Sequence, residues 1–381
     1  MKKNVVLTRL TIFNEEFEMY EGIEELLCSL NEESHNIIVI SHDSRSLKIM
    51  KSIFGENFDF KIICVYRKVI RENIDETRAK DFILIGSSDD DLILAANKKI
   101  LIINPGWSIK HDDKPARYGI TLERPEQLFE AIRLIANQNK WYFKLEVDQY
   151  TTVLALTSAN TMNRDVQASE REVLDGFESL LKAGDRRYFN TLYFHLISGV
   201  MKNLELRNVE IWGTFPTSSS STNEELEELK ERCRYLTGRR MVEPLFIRHT
   251  AVEKSHHTPY ATRISQGCKK HFDSIILNPY YASRVKGKVV CVLDDYLTNG
   301  ISFESARNLL LRAGAGKVIL LALGRYKRGI EGVYQHEEYN ILGNINKPGY
   351  KYEHISRRNL IGIYDTGARD EVSKIYEIIN D

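Results

Sequence analysis

Short runs of apolar, β-branched residues recur through the first third of the chain, and amphipathic stretches separate them. "NVVLTRLTIF", "NIIVIS", "DFKIICVY", "DFILIGSS" and "KILIINPG" read as strands. "YEGIEELLCSLNE", "SRSLKIMKSIFG" and "DDDLILAANK" between them read as helices. Strands joined through helices pair in parallel and are covered on both faces, so this alternation predicts an α/β fold. "RPEQLFEAIRLIANQ" closes the region as a helix with Leu128, Ile132 and Ile135 on one face.

The same rhythm returns from Asn208. "NVEIWGTF", "EPLFIRHT", "KVVCVLDD" and "KVILLALGRY" read as strands, with "NEELEELKERCRYLTG" and "FESARNLLLRAG" as helices. A chain of 381 residues exceeds one ordinary core. The expectation is two doubly wound parallel-sheet domains, residues 1–140 and 191–381, with 141–190 as a connecting segment. Within that segment "TTVLALTSAN" reads as a strand. "SEREVLDGFESLLKAG" reads as a helix with Ser169 as cap, Glu172 completing a capping box and Gly184 at its end. "GARDEVSKIYEIIND" predicts a terminal helix.

Lys+Arg and Asp+Glu both number 53, so net charge gives no argument for a nucleic-acid partner. The five cysteines are scattered without a C-x-x-C pair, which argues against a zinc site or disulfide framework and fits a reducing cytoplasm. Thr8, Arg9 and Asn14 interrupt the apolar start, which is unlike a signal peptide, and no apolar run approaches a membrane span. The expected setting is the cytoplasm, away from membranes.

The stretch "VVCVLDDYLTNGIS", Val289 to Ser302, carries the most chemistry. An apolar strand ends in Asp294 and Asp295, a hydroxyl-bearing turn follows, and a helix begins. Ligands of open α/β sheets bind beyond the carboxyl ends of strands. The first amides of a helix lack partners and its N-terminus is positive, so such a turn suits a phosphate. Thr298 and Ser302 add hydroxyls, and Gly300 lets the backbone close round an anion. The aspartates suit a sugar diol as acceptors, or a hydrated Mg²⁺. Sugar hydroxyls beside a phosphate describe a ribose 5-phosphate group.

These residues resemble the phosphoribosyl-pyrophosphate (PRPP) signature of type I phosphoribosyltransferases, with Tyr296 after the acid pair and Asn299 where a second threonine is usual. The resemblance implies that Asp294 and Asp295 meet the ribose hydroxyls. It implies that Leu297, Thr298, Asn299, Gly300, Ile301 and Ser302 cradle the 5-phosphate, with Asp295 supporting positive charge at the anomeric carbon. It extends about a hundred residues upstream and is most similar to the competence-protein-F-like branch. There, the loop with Thr217, Ser218, Ser219 and Ser220 corresponds to a pyrophosphate loop, or reads as a serine linker. "EKSHHTPYATRISQGCKK", with Lys254, His256, His257 and Arg263, corresponds to a mobile loop over the reacting centre, or reads as a solvated charged loop. The implied ligands are PRPP or a nucleoside monophosphate, with Mg²⁺ held mainly by PRPP. The acceptor is not specified, and a homodimer or an operon partner stays open. The activity implied is phosphoribosyl transfer or cleavage with pyrophosphate release; the alternatives are a non-catalytic PRPP- or nucleotide-sensing module and a phosphatase in the first domain.

The first domain resembles the haloacid-dehalogenase-like (HAD) fold. "IGSSDDDLILAANK" has the rhythm of that family's last acidic motif, including Asp90 and Asp91, and Ser41 fits its second motif. Lys61 and Lys80 both stand as candidates for its lysine. Thr8 and Leu10 occupy the places of the two catalytic aspartates, and Ser87 replaces the first acid of the last motif. A carboxylate nucleophile is needed for an aspartyl-phosphate, so the expectation is a fold kept with its hydrolase chemistry lost. Asp89 to Asp91 also read as a helix N-terminus.

Overall fold

The structure, a computed structural model, describes residues 1–138, 141–163, 165–218, 222–238, 240–252, 265–329 and 331–380. The chain divides into two compact units. One comprises Met1–Asn139, Tyr193–Arg207 and Lys374–Asp381; the other comprises Lys140–Leu192 and Asn208–Ser373.

The first unit holds six strands: β1 (Asn4–Thr8), β2 (Asn36–Ser41), β3 (Ile62–Tyr66), β4 (Phe82–Ile85), β5 (Leu101–Pro105) and β6 (Ile120–Leu122). They form one parallel sheet in the order β3-β2-β1-β4-β5-β6, a Rossmann-like arrangement whose direction reverses between β1 and β4. Val5, Val6 and Leu7 are fully buried, as expected of a central parallel strand covered on both faces. β1 is shorter than its apolar run because Arg9–Ile12 turns into one helical turn, where the Thr11 hydroxyl donates to the Ile85 carbonyl at 3.1 Å. The stretch from Tyr193 packs within this unit: its phenol donates to the Tyr118 carbonyl, Lys202 Nζ to the Ile135 carbonyl at 3.1 Å, and Arg207 to the Glu76 carbonyl at 2.7 Å.

The second unit begins with the supposed connecting segment, which supplies β7 (Phe143–Asp148), β8 (Thr151–Ser158) and the helix Ala168–Ala183. That segment is integral because Val153, Leu154 and Ala155 are buried in the sheet. Gln167, not Ser169, is the helix N-cap, and no side chain caps it, so the expected capping box is not formed. The remaining strands are β9 (Ile211–Thr214), β10 (Phe246–Arg248), β11 (Ile275–Leu277), β12 (Val289–Leu297), β13 (Lys317–Arg325), β14 (Tyr334–Leu342), β15 (Lys351–Leu360) and β16 (Ile363–Tyr364). The main sheet runs β16-β7-β8-β13-β12-β9; β8, β13, β12 and β9 are parallel, and β7 and β16 add an antiparallel edge. β10 with β11, and β14 with β15, form separate antiparallel pairs. The helix Ile301–Arg312 covers one face, burying Phe303, Leu309 and Leu310 with Val290, Val292 and Leu320.

No helix among the described residues is long and apolar enough to cross a membrane.

Candidate functional site

β9 and β12 are adjacent parallel strands in the register Thr214↔Leu293. The chain leaving β9 and the acid pair therefore emerge side by side at the carboxyl edge of the sheet. Phe215 N–H donates to the Leu293 carbonyl at 3.0 Å, extending the ladder by one residue.

β12 does not end at the aspartates but continues to Leu297. The alternation of faces breaks at the pair. Val292 and Leu297 belong to the core beneath the Ile301–Arg312 helix. Asp295, however, is ion-paired with Lys182 of the Ala168–Ala183 helix, and the Tyr296 ring lies 5.4 Å from the same ammonium. Asp294 Oδ1 accepts from Asp295 N–H at 2.9 Å, and Asp295 Oδ1 from Tyr296 N–H at 2.6 Å. Asp294 is half-buried, and no cation among the described residues pairs with it. Burial, reinforced by the Asp295 carboxylate, pushes its carboxyl well above the usual carboxylate range; Lys182 offsets only part of this.

The turn after β12 is held from behind. Arg325 Nη1 donates to the Thr298 carbonyl at 2.5 Å, and Gln335 N–H to the Asn299 carbonyl at 2.8 Å. Asn299 Oδ1 accepts from Ile301 N–H at 3.4 Å, while its amide nitrogen is buried with no partner. Gly300 has φ +96°, and a Cβ there would overlap the Tyr334 ring, so glycine is required on both counts. Of the six residues expected to form the cradle, Leu297 and Ile301 send their side chains into the core, leaving only their backbone for a ligand. Thr298, Asn299 and Ser302 are half-buried.

A buried polar network backs this arrangement. Tyr334 donates to Glu304 Oε1 at 2.7 Å, and His336 Nδ1 lies 3.0 Å from Glu304 Oε2. Glu337, fully buried, accepts from Cys268 N–H, Tyr339 and Arg357 at 3.0, 2.9 and 2.8 Å.

The loop after β9 has a basic neighbour. Arg248, at the end of β10, donates to the Thr217 carbonyl and, at 3.1 Å, to the Pro216 carbonyl. Burial lowers its pKa to about 10. Ser218 O accepts from Val252 N–H at 2.9 Å. Ser219, Ser220, Lys254, His256, His257 and Arg263 lie outside the described residues.

In the first unit, Thr8 and Ser41 stand at the carboxyl ends of β1 and β2. Thr8 Oγ1 bonds Thr11 Oγ1 at 3.0 Å, and Ser41 Oγ accepts from Asp43 N–H at 3.1 Å. Asp91 is buried: it completes a capping box with Ser88 and is ion-paired with Arg67. Gly86 makes room for it, since a Cβ there would overlap the Asp91 carboxyl group. Asp90 is exposed, with His42 Nε2 at 3.7 Å. The Asp89–Asp91 run therefore starts and caps a helix, and Asp91 is neutralised by a guanidinium. Among the described residues no cluster of three His, Cys, Asp or Glu side chains is placed to hold a metal in either unit.

Sequence reasoning missed Lys182, Arg248, Arg325 and Tyr334. Arg325 stands next to last in the predicted strand "KVILLALGRY" and ends the observed β13, the one visible signal: a cation where a buried strand stops.

No family model matches the chain, and no curated protein matches it. Among solved structures, it is similar to the crystal structure of D,D-heptose 1,7-bisphosphate phosphatase from Burkholderia thailandensis. That similarity has 23% identity over 32% of this chain and 88% of the other, with a TM-score of 0.26. A likeness at that TM-score carries no residue role to this chain.

Proposed function

We propose that the second unit binds a ribose 5-phosphate group, as PRPP or a nucleoside monophosphate, at the acid pair and the turn that follows it. One observation carries this reading: Asp294 and Asp295 lie at the carboxyl edge of a parallel sheet, and β12 passes after Leu297 into a left-handed glycine turn and a helix N-terminus. The acids take the sugar hydroxyls, and the amides and hydroxyls of Thr298 to Ser302 take the phosphate. The loop after β9, organised by Arg248, lies beside the acid pair, where a pyrophosphate group on the anomeric carbon would extend. Mg²⁺ enters with the diphosphate, as part of the substrate, rather than in a protein cage.

In the enzymatic form of this reading, an acceptor nitrogen bonds to the anomeric carbon and pyrophosphate leaves with the electron pair of the broken C–O bond. The acceptor's proton passes to solvent. Asp295 supports the oxocarbenium charge by electrostatics, and the phosphate contacts supply orientation. A second reading, binding without transfer, is favoured by the Lys182 ion pair, which already neutralises Asp295. The chemistry of a HAD-type phosphatase has less support, because Thr8 and Leu10 offer no carboxylate nucleophile.

The test is calorimetric titration of the full chain with Mg²⁺ and PRPP, paired with a pyrophosphate-release assay across a panel of bases. Binding that Asp294→Asn/Asp295→Asn abolishes supports the site. Release with some base then identifies a transferase, and binding without release identifies a sensor. No binding of PRPP or any nucleoside monophosphate rejects the proposal.

A further inference from the structure

Arg325 is fully buried, yet its guanidinium meets only neutral acceptors: the carbonyls of Thr298, Gly332 and Val333 and the Tyr364 phenol. The Phe143 ring lies 4.6 Å from it. No carboxylate among the described residues pairs with this cation, whereas the buried Arg307 of the same unit is ion-paired with Asp148 at 2.6 Å. A buried charge without a counter-charge is unfavourable, so its compensation is sought in what the site binds.

The peptide geometry points the same way. Every peptide bond among the described residues is trans, so the N–H of each unit points opposite to its C=O. The Thr298 carbonyl is turned to Arg325 and the Asn299 carbonyl to Gln335 N–H of β14. The amides of Asn299 and Gly300 therefore both point away from β13 and β14, and neither has a partner among the described residues. Two consecutive amides directed to one side form an anion nest, and a guanidinium on the carbonyl behind polarises the first of them.

We infer that Arg325 is the positioning residue of the phosphate subsite: it fixes the Thr298–Asn299 peptide so that its amide faces the phosphate, and its charge is completed by that dianion. This rests on the sugar-phosphate reading above.

The probe is ribose 5-phosphate, titrated into the full chain as wild type, Arg325→Met and Arg325→Lys, with circular dichroism confirming the fold. Arg325→Met is expected to weaken binding about tenfold to a hundredfold. Arg325→Lys, which restores charge without the planar fork, is expected to recover most of the loss. Unchanged affinity in Arg325→Met overturns the inference while leaving the sugar-phosphate reading intact; so does a lysine variant as impaired as the methionine one, since shape alone would then matter. Absence of binding by the wild type overturns both. Should Arg325→Met fail to fold, amide resonances decide the matter in the wild type. The inference requires those of Asn299 and Gly300 to move on adding ribose 5-phosphate, and shifts confined to other residues overturn it.

Discussion

Lys182 is ion-paired with Asp295, whereas Asp294, one residue earlier, has no ion pair among the described residues and feels the same ammonium only through its charge. The two aspartates of one motif are thus electrostatically unequal. Asp294 holds its proton more tightly than an ordinary carboxyl group, first through burial and then through its charged neighbour.

This inequality gives a stability prediction. A carboxyl group ionises near pH 3.9 in the unfolded chain. Asp294 ionises at higher pH in the folded one, so between those values the unfolded state binds fewer protons and folded stability declines as pH rises. Asp294→Asn should therefore unfold at higher urea than wild type at pH 7, with the difference closing as pH falls below about 3.9. Lys182→Met should carry the wild-type decline to still higher pH, while removing less than about 1 kcal/mol for the half-exposed ion pair itself. A pH-independent loss of stability in Asp294→Asn would contradict the assignment.

Gly300 and Tyr334 form the second test. Gly300→Ala combines a left-handed backbone with a clash against the Tyr334 ring, and should destabilise by about 2 kcal/mol or more in urea titration. Adding Tyr334→Ala removes the clash and not the backbone penalty, so the two changes should be markedly non-additive. Additive effects would show that the ring does not fill the turn.

His336 lies between Glu304 and Glu338, at 3.0 and 3.3 Å, with Arg307 and Arg358 also nearby. Burial opposes its charge, but the hydrogen bond and charge of Glu304 prevail, so the folded-state pKa is raised. The resulting stability is fully present below about pH 6.5, the unfolded value, and is lost as pH rises through the folded value. Urea midpoints between pH 5.5 and 8.5 (about three units spanning the imidazole range) should fall more steeply for wild type than for His336→Gln. Parallel curves would show that His336 does not titrate with folding.

Arg248 organises the loop after β9. Its guanidinium also helps burial hold the nearby His271 down, to a pKa of about 3. Arg248→Met should weaken binding of pyrophosphate about tenfold or more in calorimetry, in addition to loosening the loop. Equal pyrophosphate affinity would detach this loop from the site.

Much of this was legible in the sequence, and for physical reasons. The five strands of the first third stand out because buried parallel strands are continuously apolar, and "DDYLTNGIS" stands out because two adjacent acids interrupt an apolar strand, although β12 runs on past them to Leu297. The rest depends on contacts distant in sequence. Lys182 reaches Asp295 from across 113 positions, and Arg248 reaches Thr217 from across 31. The hairpin β14–β15 escapes periodicity because its residues Gln335, His336 and Glu337 are polar yet buried, satisfied by the helix at Glu304 and by Arg357. β6 is only three residues long. Asp91 reads equally well as metal ligand or helix cap from sequence, and only Arg67, brought from β3's far end, separates the two.

The most direct measurement is the crystal structure of the full chain soaked with PRPP and Mg²⁺. The account predicts ribose hydroxyl oxygens within hydrogen-bond distance of Asp294 and Asp295, Lys182 drawn off the carboxylate it now pairs, and a 5-phosphate on the Asn299 and Gly300 amides. Density for the ligand elsewhere, with the Lys182–Asp295 pair intact and Tyr334 still closing an empty turn, would contradict it.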